Sequence, residues 1–436
     1  VNREEIQEIA LNKAKENNYN GTIVMVPGSG KSKVAIECIK QGNFKNILIT
    51  SPRTNLKKLW HDELEKWEFN HYGIIKYINK FDSYNIQIDN IQTVYKFTKE
   101  LLQEFDFVIY DEIHTCGLEY YNLIQNCKEL NIPCLGLTGT PTLSDPWKKE
   151  VLYKALPIIY EYYNAEEDNI TNRIQYWVYE YELNDSFKVQ VGTKTKKWLA
   201  GELIQYTYLS EQYEKAKKLM FEQCASNYFD QSLEWMNSKT ATKEQKEAGR
   251  KFFFAVKARK DFLWNLTSSR QIALALKKRI IEPDWTVNQF DSTKVHPLKA
   301  RNNKVLLFSE LTVQAEKLSP YSIHSNNGNS AKECETMNKE LLDKFNSGEI
   351  RELSSVNSLS LGLNMIGANY AVFESYSSSN TNAIQKCKRL VRLNKDDVAN
   401  VIIIRPLNTQ MGDNWFKEAF KGIDYRVITN LNDLKI

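Results

Sequence analysis

Two α/β domains in tandem, with a largely helical insertion in the second half, are what this sequence predicts. Three observations carry that prediction. Short apolar runs alternate with helical periodicity from residue 21 to residue 141, and the same alternation returns from residue 304. Between them, at about 205–282, the pattern is helical with no strand-like run. The boundaries that follow are 1–145 for the first domain, 146–172 for a connector and 173–436 for the second domain with its helical segment.

Composition narrows the class. The 436 residues are 42% apolar and 26% charged, which suits a folded globular chain and excludes a disordered or fibrous one. Lys and Arg number 58 against 54 Asp and Glu, so the formal charge of +4 is too small to announce nucleic acid by itself. Any anion-binding surface has to come from local placement. No run of 18 apolar residues occurs, and the opening VNREEIQEIALNKAKENN is polar and mixed in charge, so neither a membrane span nor a signal peptide is expected. Seven cysteines without a C-x-x-C spacing point to a reducing, intracellular, cytoplasmic setting and to no structural zinc.

The first element, residues 21–26 (GTIVMV), is a short β-type run. Pro27-Gly28-Ser29-Gly30-Lys31-Ser32 follows, and then a helical pattern through Val34, Ala35, Cys38 and Ile39. Strand, glycine loop and helix in this order form a cradle for a nucleoside triphosphate: glycines let N–H groups turn to phosphate, Lys31 reaches the β and γ phosphates, and Ser32 offers a hydroxyl to Mg²⁺. The usual pattern starts with Gly where this chain has Met25. Residues 46–50 (NILIT) read as the next strand, ending at Ser51-Pro52-Arg53, and a helix follows with Leu56, Leu59, Trp60, Leu64 and Trp67 on one stripe. Residues 105–110 (FDFVIY) deliver Asp111-Glu112-Ile113-His114 at a strand end. Residues 132–137 (IPCLGL) deliver Thr138-Gly139-Thr140-Pro141 in the same way. An Asp so placed holds Mg²⁺ and the adjacent Glu polarises an attacking water, while His114 stands where it could feel the γ phosphate or could simply pack at a helix start.

After Pro141 the alternation lapses and 142–172 reads as connector. Residues 174–183 (IQYWVYEYEL) alternate as a strand. The lysine-rich 188–197 stretch is either a basic loop for a phosphate backbone or a solvated charge cluster. Helices are expected through about 205–235 and 251–281, with Phe262, Leu266, Leu276 and Ile280 facing a core. From KVLLFSE at 304–310 the strand and helix grammar resumes: YSIHS at 321–325 is a short strand, 331–345 a helix, and YAVF at 370–373 a strand. This second α/β domain has no phosphate loop of its own. Near its end lies Gln385-Lys386-Cys387-Lys388-Arg389-Leu390-Val391-Arg392, where helical spacing puts Arg389 and Arg392 on one face with Gln385 a turn before. Those arginines either serve the neighbouring domain's phosphate loop when the two domains close or form a basic surface helix.

Taken in order, PGSGKS (27–32), SPR (51–53), DEIH (111–114), TGTP (138–141), SLGLN (360–364) and QKCKRLVR (385–392) resemble the motifs of the superfamily-two helicases and translocases, over about residues 20–400. The DEIH form resembles the DEAH and DExH branches, and the compact length resembles small phage or bacterial DNA helicases. The resemblance implies two tandem RecA-like domains of the P-loop NTPase fold, ATP and Mg²⁺ as cofactors, and DNA as partner with RNA left open. It implies no membrane association, names no protein partner and leaves a monomer open. By position it implies that Lys31 and Ser32 bind phosphate and Mg²⁺, that Asp111 holds the metal, that Glu112 orients water, and that Gln385, Arg389 and Arg392 complete catalysis. His114, Thr138 and Thr140 would couple nucleotide state to movement, Gly362 would join the nucleotide and nucleic-acid sites, and Ser51, Pro52, Arg53, Gln92 and Thr93 would touch the nucleic-acid backbone. The implied activity is an ATP-dependent DNA helicase, with repair, recombination or replication as its setting. The alternatives are an ATP-dependent translocase, remodelling or annealing protein without autonomous unwinding, and a non-enzymatic nucleic-acid-binding protein with a structural nucleotide site. Three positions depart from the family: Met25, Lys388 in place of a glycine, and the adenine-recognition glutamine, for which Gln7 is the candidate.

Overall fold

The computed structural model describes residues 2–52, 55–72, 75–79, 82–139, 141, 146–192, 196–223, 227–282, 303–328, 330–356, 365–391 and 397–434. Arg53, Thr140, Gly362 and Arg392, singled out from the sequence, lie outside the described residues. Two compact units form: Val1–Ile174 together with Ile384–Ala399, and Gln175–Leu359 with Met365–Ala383 and Asn400–Ile436. No helix among the described residues is long and apolar enough to cross a membrane.

The first unit is built on β1 (Gly21–Met25), β2 (Asn46–Ser51), β3 (Asn70–Tyr72), β4 (Lys76–Asn79), β5 (Asp82–Asn90), β6 (Phe107–Tyr110), β7 (Cys134–Thr138) and β8 (Ile158–Tyr162). They form one sheet in the order β3-β4-β5-β2-β6-β7-β1-β8. Its middle, from β5 through β2, β6, β7 and β1 to β8, is parallel, and β3 and β4 add an antiparallel edge. Parallel strands between two helix layers must be apolar on both faces, which is why these segments read as unbroken apolar runs. Alternation then divides each strand between two cores. Ile47, Ile49, Phe107 and Ile109 join Val34, Ile39, Trp60 and Leu64 of the helices Lys31–Gln41 and Asn55–Lys66 on one side. Leu48, Val108 and Tyr110 join Leu123, Ile124 and Leu152 of Leu118–Glu129 and Pro146–Ala155 on the other.

One sequence expectation is corrected here. The supposed connector contains the helix Pro146–Ala155 and β8, which pairs parallel to β1 from Thr22↔Ile158 to Met25↔Tyr162. The segment IIYEY has little strand pattern of its own. It is recruited by the open edge of β1, whose unpaired backbone groups it satisfies.

The second unit contains β9 (Arg173–Glu182), β10 (Lys188–Gly192), β11 (Lys197–Gly201), β12 (Val305–Phe308), β13 (Ser322–Ile323), β14 (Glu352–Ser355), β15 (Tyr370–Phe373), β16 (Val398–Leu407) and β17 (Arg426–Ile428). Its main sheet runs β13-β14-β12-β15-β16-β9-β17. β10 and β11 pair antiparallel from Lys188↔Gly201 to Gly192↔Lys197, so the described residues 188–192 and 197 of the lysine-rich stretch are strand. The two long helices read from the sequence are four: Glu202–Gln223, Tyr228–Asn237, Lys243–Leu263 and Thr267–Ile281. The break before Thr267 is held by buried Glu202, whose Oε1 accepts from the N–H groups of Thr267 at 2.6 Å and Ser268 at 3.2 Å. A carboxylate satisfying two orphan donors at a helix start is a stable stop. Ala273, Leu276 and Ile280 then pack on Val305, Leu307 and Val372 of the sheet, while the helices before the break close a small core of their own around Met220, Trp235 and Phe252.

Candidate active site

The site collects at the carboxyl ends of the parallel strands of the first unit, where a doubly wound sheet leaves its helix N-termini and loops converging. β1 ends at buried Met25, and the loop after it is shaped by two glycines in the left-handed region, Gly28 at φ +84° and Gly30 at φ +99°. A side chain at Gly30 would be strained by that φ, and its Cβ would lie 2.1 Å from Gln7 Nε2, so the Gln7 amide would have to move. Gln7, on the helix Arg3–Glu16, is buried and donates its amide to the Ser29 carbonyl at 2.7 Å. The adenine-recognition candidate therefore braces the phosphate loop from behind. Ser29 is buried as well, and its hydroxyl donates to the Val26 carbonyl. Pro27 is half-buried and Gly28 exposed at the mouth of the loop.

Lys31 opens the helix Lys31–Gln41 and donates from Nζ to the Met25 carbonyl at 2.9 Å, with Ser32 next to it on the same first turn. Met25 thus takes the place of the family's small residue without obstructing the lysine, because its side chain points into the core and only its carbonyl meets the ammonium. Burial lowers the Lys31 pKa, and the charges of Glu112 and Asp111 work against that lowering.

Asp111 follows β6, its N–H bonded to the Thr50 carbonyl at 2.9 Å. Its Oδ2 accepts from the Trp60 indole N–H at 2.9 Å and its Oδ1 from the Glu112 N–H at 2.9 Å. Removal from water raises the Asp111 pKa and the charge of Glu112 pushes it the same way. Glu112 takes a left-handed backbone, φ 48° and ψ 47°, uncommon for a long side chain and costing on the order of 1–3 kcal/mol. Burial would raise its pKa too, but the His114 hydrogen bond and the charges of Lys31 and Arg389 outweigh it and hold the carboxylate low. Two adjacent, half-buried carboxylates are a donor set suited to a hard divalent cation, to which Ser32 on the first turn of the helix Lys31–Gln41 could add a hydroxyl. Asp111 and Ser32 are the residues that would hold Mg²⁺, which would draw charge from the phosphate oxygens when bound.

His114 is buried and ties three motifs together. Its Nδ1 lies 2.9 Å from Thr138 Oγ1 and 3.2 Å from Glu112 Oε2, and its Nε2 lies 2.7 Å from Gln385 Nε2. With the Gln385 amide assigned as donor, Nε2 accepts and the ring proton sits on Nδ1, shared between Thr138 and Glu112. Gln385, Lys388 and Arg389 lie in the 384–399 segment, which packs with this unit. The helical face drawn for Arg389 is revised: the helix Asn380–Cys387 tightens into a 3₁₀ turn, Lys388–Leu390, as helix ends commonly do.

The expected nucleic-acid contacts are arranged unevenly. Ser51 is buried at the end of β2 opposite Asn90, Pro52 is half-buried, and Gln92 and Thr93 are exposed after β5. Thr93 is partly engaged, since its N–H and hydroxyl both bond the Asn90 side chain at 3.0 Å. The residue for which the sequence favoured packing over stacking on a base, and offered no part in the acidic pair, is Trp60. It is buried on the apolar stripe as expected, yet its one polar atom serves Asp111.

A phosphate loop after β1, an acidic pair after β6 and a threonine after β7, on a sheet of this order, define a RecA-like P-loop domain, and a second α/β unit of the same class follows it. Residues 2–143 match the family described as type III restriction enzyme, res subunit, and residues 288–394 match the helicase conserved C-terminal domain. These two matches, with the relatives that follow, support a place in superfamily two of the helicases and translocases. Among named relatives, the probable helicase D10 of Escherichia phage T5 is 32% identical over 120 residues, 26% of this chain and 25% of that protein. The DNA 3′-5′ translocase XPB2 of Sulfurisphaera tokodaii is 29% identical over 143 residues, 32% of this chain and 31% of that protein. The matched stretches thus span less than a third of either relative. A fragment structure of a protein assigned as an HsdR subunit of a type I restriction enzyme from Vibrio vulnificus shares the fold, with 15% identity and a TM-score of 0.54 over 97% of this chain and 68% of that one.

Proposed function

We propose that this chain is an ATP-driven motor on nucleic acid, acting on DNA and separating its strands. The observation that carries the reading is the junction at His114, where the ring bonds Thr138 and Gln385 and lies beside Glu112. A group that changes hands there alters the acidic pair, the strand-end threonine and the distal glutamine together, which is what coupling hydrolysis to movement requires. In this reading the loop N–H groups and Lys31 bind the β and γ phosphates, and Ser32 and Asp111 hold the cation. Glu112, kept ionised by its neighbours, accepts the proton of the attacking water, and Arg389 offsets charge on the γ-phosphoryl group. Gln92 and Thr93 are the exposed strand-end groups available to a sugar-phosphate backbone.

Steady-state hydrolysis of ATP with single-stranded DNA, duplex DNA or RNA tests this, with Glu112→Gln as control. Stimulation by DNA that is lost in the variant supports the motor; a folded protein that no polymer stimulates overturns it. The translocase relative favours a second reading, movement along DNA without unwinding. Displacement of a third strand without release of a fluorescent strand from a fork would select that reading.

A further inference from the structure

Lys388 is unused in the mechanism above, although it stands where the family has glycine, one residue before Arg389. A glycine there contributes only backbone. A lysine brings an ammonium on a four-carbon stem, and in this structure Nζ donates to the Gly139 carbonyl at 2.8 Å. Gly139 is also the close neighbour of the loop lysine: a Cβ on it would lie 3.3 Å from Lys31 Nζ and 3.2 Å from Pro27 Cδ. One glycine therefore has an ammonium on its carbonyl and another against its Cα. Burial first, and then the charge of Lys31, push the Lys388 pKa down to about 8, with Glu112 pulling the other way. Two cations gathered this closely, with a third on Arg389 acting on Glu112, exceed what the acidic pair alone needs and suit a polyvalent anion. The Gly139 carbonyl takes one of the three N–H donors of Lys388, leaving two for a ligand.

We propose that Lys388 is a second phosphate-binding lysine of this site, directed with Lys31 at the γ phosphate, so that the chain discriminates triphosphate from diphosphate through a residue at a position where the family normally has glycine. The proposal rests on the nucleotide-triphosphate reading of the loop. A lysine that merely pinned Gly139 would affect folding and would lower the affinity for both nucleotides alike. A γ-phosphate lysine affects only the triphosphate.

The test measures binding of a non-hydrolysable ATP analogue and of ADP, each with Mg²⁺, to the full chain as wild type, Lys388→Met, Lys388→Gly and Lys388→Arg, with thermal unfolding alongside. Loss of a charge-assisted contact should weaken the ATP analogue about tenfold in the Met and Gly variants and ADP less than about twofold, with Arg retaining most of the affinity. Equal losses for the two nucleotides, or no loss for either, would overturn the proposal. Failure of the underlying reading looks different: the wild type would bind neither nucleotide and Lys31→Ala would change nothing. Should Lys388→Met not fold, the Gly and Arg variants carry the same comparison.

Discussion

Trp60 shows how a side chain read as packing can also belong to the chemistry. Its ring fills the core beneath the sheet while its indole N–H orients Asp111, so the two contributions can be separated by Trp60→Phe. That variant keeps most of the aromatic bulk and removes one donor. It should raise the Mg²⁺ concentration for half-maximal hydrolysis by about fivefold or more, as loss of an outer-shell partner does. An unchanged Mg²⁺ dependence would reduce the bond to a structural detail. The contrast with Lys31, Asp111, Glu112 and Thr138 explains what was legible at this scale. Those residues sit in strand-end words of a few letters, whereas the partner of Trp60 lies 51 positions away and that of Lys388 lies 249 away. No local pattern encodes either pairing; only the folded sheet creates it.

Among the elements, those with strong internal periodicity were readable and those completed by a neighbour were not. β1, β2, β6 and β7 announce themselves because both faces are buried, while β8 needs the edge of β1 to become a strand. The helical insertion is a similar case: its helices were legible, but their break at Thr267 depends on Glu202, far back in the chain. Its core is small, so Trp235→Ala should cost about 3–5 kcal/mol locally. Hydrogen exchange would show this as lost protection in Glu202–Gln223, Tyr228–Asn237 and Lys243–Leu263, with the sheet of the first unit unaffected. Loss spread evenly over both units would contradict an independent core. The phosphate loop gives an opposite case, where one added methyl acts at once: Gly30→Ala meets both the φ of +99° and Gln7, and should abolish nucleotide binding while costing about 1–3 kcal/mol of stability.

For the whole molecule, separate cores predict separately addressable stabilities. Calorimetry should resolve two transitions, and ATP at about a hundred times its Kd should stabilise the first unit by about 2.7 kcal/mol and move only its transition. The second unit should answer to pH through Glu374, which is fully buried after β15. Burial raises its carboxyl to about 7 against the pull of Ser375, Ser309 and Arg270. Folded protein then keeps a proton that unfolded chain releases near 4.5, so stability is greatest below that value and falls as pH rises to 7. Glu374→Gln removes the penalty; its advantage over wild type should grow from near zero at pH 4.5 to about 3 kcal/mol at neutral pH. A pH-independent difference would show that the carboxyl ionises normally.

The route of the chain bears on how this gene could be divided. The segment 384–399 rejoins the first unit after the chain has already built most of the second. A chain ending at residue 174 would contain the whole first sheet, but it would lack the Gln385 contact to His114, the Arg389 charge that adds to the lowering of Glu112 and the Lys388 bond to Gly139. Such a half-gene could yield a folded product and still be catalytically mute. Supplying the missing stretch in trans as a peptide would then be a complementation experiment with a built-in reporter, the return of nucleotide turnover.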